Sequence, residues 1–144
     1  MGQTTLIKRV EFCASHRYWN SSWTEDENFK VFGKCANAHG HGHNYVLEVY
    51  IRGDVCPKTG MVINLSDLKK ILHEVLEYYD HKYLNMDHPK FASLIPTTEN
   101  IVRVLWEEIA LHLREFAHLS LAKLRLYESD DLFSEYWEED EEKI

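Results

Sequence analysis

The chain has no stretch approaching the ~18 consecutive apolar residues of a membrane span, and its first ten residues have neither the basic start nor the apolar run of a secretory signal. A membrane partner is therefore not expected, and the expected location is the cytoplasm. Cysteine is scarce. Cys13, Cys35 and Cys56 are odd in number and lack C-x-x-C spacing, so a disulfide framework is not expected. Basic residues are outnumbered, 16 Lys and Arg against 24 Asp and Glu, for a net charge of −8. That balance argues against sequence-independent nucleic-acid binding, which needs a basic face to displace counterions. Proline and glycine are few, at three and six of 144 residues, while 44% of the chain is apolar. Collagen-like and disordered classes are excluded.

What remains is enough chain for one core. Residues 1–137 read as a single domain and 138–144 as an acidic tail. The segment from Glu138 to Lys143 holds five acids and one Lys, leaving a charge of −4 for the rest. Histidine is plentiful, with nine copies.

Two hydrophobic periods alternate along the chain. Leu6, Val10, Phe12 and Ala14 alternate with polar residues and predict a half-buried strand over Leu6 to Tyr18. Asn20 to Asn28 read as a polar loop. Tyr45, Leu47, Val49 and Ile51 predict a second strand over about His41 to Arg52. Asn64 can cap a helix with an apolar stripe of Leu65, Leu68, Ile71, Leu72, Val75 and Leu76. A second helix starts near Thr97 and carries Ile101, Val102, Leu105, Trp106, Ile109 and Leu113 inward. Ala122, Leu124 and Leu126 predict a third strand, and Leu132 to Trp137 a fourth. The order ββααββ implies an α+β fold, an antiparallel sheet covered by helices on one face.

The chemistry-bearing residues gather at element ends. His41 and His43 are two apart on a strand and share a side, where both imidazoles can converge on one ion. H-x-H alone reads first as a histidine-rich loop edge solvated by water. His16, in phase with Phe12 and Ala14, adds a third imidazole if the two strands are neighbours, and three His with an open position is a common zinc arrangement. His39 extends the run to H-G-H-G-H and competes for the same ion. Cys35 lies in a polar loop just before this pair, where burial is a weaker explanation than reactivity; a nearby cation would lower its pKa. Asp80 and His81 follow the first helix, and a carboxylate beside an imidazole orients it for proton transfer, though Asp-His also suits an ordinary helix end. Glu128 has the phase of Leu124 and Leu126, an acid ending an inward face. It is a bidentate acceptor for a ligand with two adjacent N–H donors, or a solvated residue past the strand. Thr97 and Thr98 are first explained by helix capping.

Together these segments resemble the 6-pyruvoyltetrahydropterin synthase family. The resemblance rests on F-C-A-S-H-R at 12 to 17, G-K-C-A-N-A-H-G-H-G-H-N-Y at 33 to 45, T-G-M-V-I-N-L-S-D-L-K at 59 to 69, D-H-K-Y-L-N at 80 to 85, P-T-T-E-N at 96 to 100 and Y-E at 127 to 128. It implies the tunnelling fold: a four-stranded antiparallel sheet with two helices on one face, three subunits closing a β-barrel, and two trimers stacked as a hexamer. It also implies Zn²⁺ held by His16, His41 and His43, with Cys35, Asp80 and His81 as the proton-transfer set. Glu128 would anchor a pterin, helped by Thr97 and Thr98. The implied reaction takes 7,8-dihydroneopterin triphosphate to 6-pyruvoyltetrahydropterin with loss of triphosphate. The five residues between Cys35 and His41 favour this type over the 6-carboxytetrahydropterin synthases of queuosine biosynthesis. A reading from another class is a non-catalytic module binding zinc and a pterin.

Overall fold

The computed structural model of the chain describes residues 2–139. Most of the acidic tail lies outside that range. Strands β1 (Thr4–His16), β2 (His41–Gly53), β3 (Lys82–Tyr83), β4 (Leu119–Ser129) and β5 (Leu132–Tyr136) form one open sheet in the order β3-β1-β2-β4-β5. Helices α1 (Glu25–Phe32), α2 (Leu65–Leu76), α3 (Leu84–Asp87) and α4 (Thr98–Leu113) complete the fold.

The architecture is α+β, with a correction to the expected four-stranded antiparallel sheet. Lys82 and Tyr83 pair in parallel with Ala14 and Ser15, adding a fifth strand too short to show alternation. A second correction concerns Asn20 to Asn28, expected as loop. The chain there enters α1, capped by the Thr24 side chain, which accepts from Glu27 N–H. T-x-x-E is the pattern of a capping box, and it was the available signal.

The β1–β2 ladder runs unbroken from the Thr4–Gly53 pair to the His16–His41 pair. Side chains of directly opposed residues share a face, so this register sets which residues meet. On the helix-covered face, Phe12 and Ala14 oppose Tyr45 and His43, and Val10 opposes Leu47. Phe12 and Tyr45 stack with centroids 5.0 Å apart. Leu124 and Leu126 extend this face onto β4, and all these apolar residues except the half-buried Val10 are buried. A bulge leaves Ala122 without a partner across β2. Beyond it Leu121 and Leu119, not Ala122, turn toward the core.

The helices bury the predicted stripes: Leu68, Ile71, Leu72, Val75 and Leu76 from α2, and Ile101, Leu105, Ile109 and Leu113 among others from α4. Leu65, included in the stripe, stays exposed. Asn64 caps α2 and Thr97 caps α4, as expected. The uncovered face carries Arg9, Glu48, Arg125 and Glu135, linked as ion pairs, beside Tyr127 and Phe133. Among the described residues no helix is long and apolar enough to cross a membrane.

Candidate metal centre and its surroundings

The end of the β1–β2 ladder is also the end of the helix-covered face, and three imidazoles meet there. His16 sits on the terminal pair with His41, and His43 two residues along β2 opposes Ala14. Glu128 follows Tyr127 on β4 and falls on the same face. The ligand-type atoms of His16, His41, His43 and Glu128 all lie within 4.8 Å of one another. His16 is fully buried. Its Nε2 is 3.2 Å from His41 Nε2, and its Nδ1 is 2.8 Å from the Pro96 carbonyl. A carbonyl only accepts, so Nδ1 carries the proton and the Nε2 lone pair faces the cluster, the arrangement second-layer partners give a metal-binding histidine.

Two further features fit a cation. His43 Nε2 lies 2.7 Å from Glu128 Oε1 but out of line for a hydrogen bond, a buried nitrogen without a hydrogen-bond partner among the described residues. Two of the three histidines also have lowered pKa values, which favours their neutral form. Burial, with help from His41, pushes His16 down to about 4 against the weaker opposing pull of Pro96 and Glu128. Burial likewise lowers His43. A neutral imidazole is the metal-ligating form. Gly40 is required at the approach to β2: its φ is +68°, and a Cβ there would stand 2.6 Å from the His16 backbone oxygen.

Glu128 is held from the other side. Thr98 Oγ1, buried in the first turn of α4, donates to Glu128 Oε2 at 2.7 Å. Thr97 does not share this contact; its hydroxyl accepts from Asn100 N–H at 3.2 Å as the cap of α4.

Cys35 lies in a short 3₁₀ turn, Gly33–Ala36, and its carbonyl accepts from Tyr18 N–H at 2.8 Å. The Tyr18 ring packs edge-on to His16 at 5.0 Å, which brings the Cys35 loop beside the cluster. Burial raises the thiol pKa, and the Glu128 charge raises it further. The lowered value expected beside a cation is not a property of the polypeptide alone.

Asp80 and His81 are elsewhere. Asp80 Oδ1 accepts from Cys13 N–H at 2.9 Å along the outer edge of β1, and Asp80 Oδ2 is 3.0 Å from His81 Nδ1. The hydrogen bond from Cys13, more than the neighbouring imidazole, holds the Asp80 carboxyl below its usual range. The His81 side chain is 81% exposed, beside a depression lined by Cys13, Ser15 and Gly42. The Cys13 and Ser15 side chains alternate with Phe12 and Ala14 and so lie on the uncovered face of the sheet, opposite the three histidines. One chain therefore joins Cys35 and Glu128 to the histidine cluster but leaves the Asp80–His81 pair on the far side of β1.

Sequence reasoning missed Tyr45 and Pro96. The Tyr45 hydroxyl is 3.0 Å from His16 Nδ1, and its position two residues beyond His43 placed it on the same face. No local signal marks the Pro96 carbonyl, since it reaches His16 from 80 residues away.

A family model described as 6-pyruvoyl tetrahydropterin synthase matches residues 5–139. A relative from Pongo abelii, named 6-pyruvoyl tetrahydrobiopterin synthase, is 43% identical over 130 residues, covering 90% of this chain and 88% of that one. The solved structure of the Caenorhabditis elegans 6-pyruvoyl tetrahydropterin synthase superposes with a TM-score of 0.89 at 34% identity, over 96% of this chain and 98% of the other. A match of 36% identity over 102 residues, 71% of this chain and 77% of the relative, is to an Archaeoglobus fulgidus protein provisionally named a 6-carboxy-5,6,7,8-tetrahydropterin synthase.

Proposed function

Because the chain belongs to the 6-pyruvoyl tetrahydropterin synthase family, we propose that it is a zinc-dependent lyase that converts 7,8-dihydroneopterin triphosphate to 6-pyruvoyltetrahydropterin, eliminating triphosphate. The observation that carries this reading is the convergence of His16, His41, His43 and Glu128 within 4.8 Å, with Cys35 alongside.

His16, His41 and His43 are the residues that would hold Zn²⁺. The ion would act as a Lewis acid toward the substrate's side-chain hydroxyls and would work against burial and the Glu128 charge, which together raise the Cys35 thiol pKa. Glu128 has two possible duties, and Thr98 favours one of them. With Oε2 fixed by the Thr98 hydroxyl, the carboxylate is oriented to accept two adjacent N–H groups of the amino-pyrimidinone ring. Thr98 thus acts through Glu128, while Thr97 contributes by starting the helix that carries Thr98.

Cys35 is assigned as the base that takes a proton from the substrate side chain. Loss of triphosphate and the internal shift of hydrogens then need proton delivery and removal at a second carbon, which we assign to His81 with Asp80 as its partner. Since these two lie across β1 from the cluster, the assignment calls for a second copy of the chain to bring its own pair to each site. Trimers closing a barrel, stacked as a hexamer, would supply it, and the open sheet has free edges for that closure.

Incubating the purified protein with dihydroneopterin triphosphate and zinc, then identifying products by mass, tests the reading. The 6-pyruvoyl product and free triphosphate are expected. A 6-carboxy product would move the chain to the branch suggested by the Archaeoglobus relative. Pterin binding without turnover would replace the enzyme with a binding module.

A further inference from the structure

The Asp80–His81 turn is fastened on two sides, and the second fastening is a partly buried polar network. On the first side, the Cys13 backbone donates to Asp80 and accepts from the His81 amide. On the second, Tyr79, immediately before Asp80, is fully buried against Phe12, His88 and Phe91. Its hydroxyl donates to Glu108 Oε1 on α4 at 2.7 Å. The same oxygen is 3.1 Å from His88 Nε2. Lys90 N–H donates to His88 Nδ1 at 3.2 Å, so Nδ1 is the acceptor and Nε2 carries the proton that Glu108 receives.

One carboxylate oxygen therefore grips residues 79 and 88, the two ends of the segment that carries Asp80, His81, β3 and α3. A purely apolar contact would fill this space between α2 and α4, but it would not fix direction; satisfied hydrogen bonds in a partly buried site do. Direction matters here. His81 has φ +60°, a backbone conformation disfavoured for a residue with a Cβ, and its ring is exposed, so no packing in this chain orients it.

We propose that Glu108, acting through Tyr79 and His88, is a positioning residue that sets where the His81 imidazole stands against the substrate. The inference rests on Asp80 and His81 being the proton-transfer pair of the lyase reaction.

The test uses steady-state kinetics of the zinc-loaded protein, with Glu108→Ala, Glu108→Gln, Tyr79→Phe, His81→Ala and the control Val104→Ala, which opens the core of α4 outside the network. A misplacement of about 1 Å can cost on the order of 100-fold. Glu108→Ala is expected to lower kcat by roughly 10- to 100-fold at little-changed KM and unchanged zinc content. Glu108→Gln, which keeps an acceptor oxygen, should recover most of that loss. Amide exchange at His81 and Cys13 should quicken in Glu108→Ala but not in Val104→Ala. Tyr79→Phe, which leaves no cavity, carries the same kinetic test should Glu108→Ala not fold. Wild-type kcat in Glu108→Ala, or an equal fall in Val104→Ala, overturns the positioning role. If His81→Ala turns over normally, the assignment of the pair fails and the positioning role fails with it. If His81→Ala is inactive while Glu108→Ala is unaffected, only the positioning role fails.

Discussion

Thr98→Val separates the two duties open to Glu128. The substitution exchanges a hydroxyl for a methyl of nearly equal volume at a site 1% exposed, so it opens no cavity, and valine in a first helical turn costs only a few tenths of a kcal/mol. What it removes is the 2.7 Å hydrogen bond to Oε2 of a carboxylate whose side chain is only 10% exposed. Hydrogen bonds to charged groups contribute about 1.5–3 kcal/mol. If Glu128 anchors the ring, the loss appears as misdirection of a two-point acceptor. At about 1.4 kcal/mol per tenfold, that is roughly a 10- to 100-fold rise in KM for the pterin triphosphate. Zinc content, proposed to depend on three imidazoles that Thr98 does not touch, should stay at the wild-type ratio. The assay is triphosphate release against substrate concentration, with zinc measured by atomic emission on the same samples. An unchanged KM, or a zinc content that falls along with activity, would refute the reasoning and make Glu128 chiefly a metal ligand.

Changing His16, His41 or His43 to Ala should each collapse zinc content, while His39→Ala should keep it; loss with His39 and retention with His41 in metal analysis would contradict the observed register. Metal-free protein should lose stability as pH falls below 6.5, because the unfolded chain then binds a proton that folded His16 accepts only near 4. The window of about 2.5 units corresponds to about 3 kcal/mol, complete by pH 4, and denaturant midpoints against pH, with His16→Gln flattening the slope, check it. Gly40→Ala should lower the melting temperature more than Gly60→Ala. Both positions have positive φ, but only at Gly40 does the new Cβ meet backbone, at 2.6 Å. Equal shifts in thermal melts would show that the contact is relieved.

Much of the fold and part of the site were legible in the sequence. Alternation from Leu6 to Ala14 and from Tyr45 to Ile51 announced β1 and β2, and Asn64 and Thr97 announced the helix starts. His41 and His43 announced a shared side. Each signal lies within a few residues of what it specifies. Lys82 and Tyr83 announced nothing, because a two-residue strand has no period and exists only where β1 offers it an edge. The T-x-x-E pattern at Thr24 was present but lay in a run too polar to suggest a buried face.

By itself, then, the sequence determined the longer strands and helices, their amphipathic faces and the residue types able to ligate zinc or move protons. The tertiary structure decided which of them meet. The unbroken β1–β2 register set His16 opposite His41, and the packing of the α4 start against β4 brought Thr98 to Glu128 and Pro96 to His16. It also put Asp80 and His81 on the opposite side of β1 from Cys35, making one chain insufficient for the proposed chemistry. The physical reason is range. Periodicity and capping are satisfied by neighbours along the chain, whereas contacts spanning 25 to 80 residues are fixed by strand register and core packing, where every residue of a ladder must agree at once.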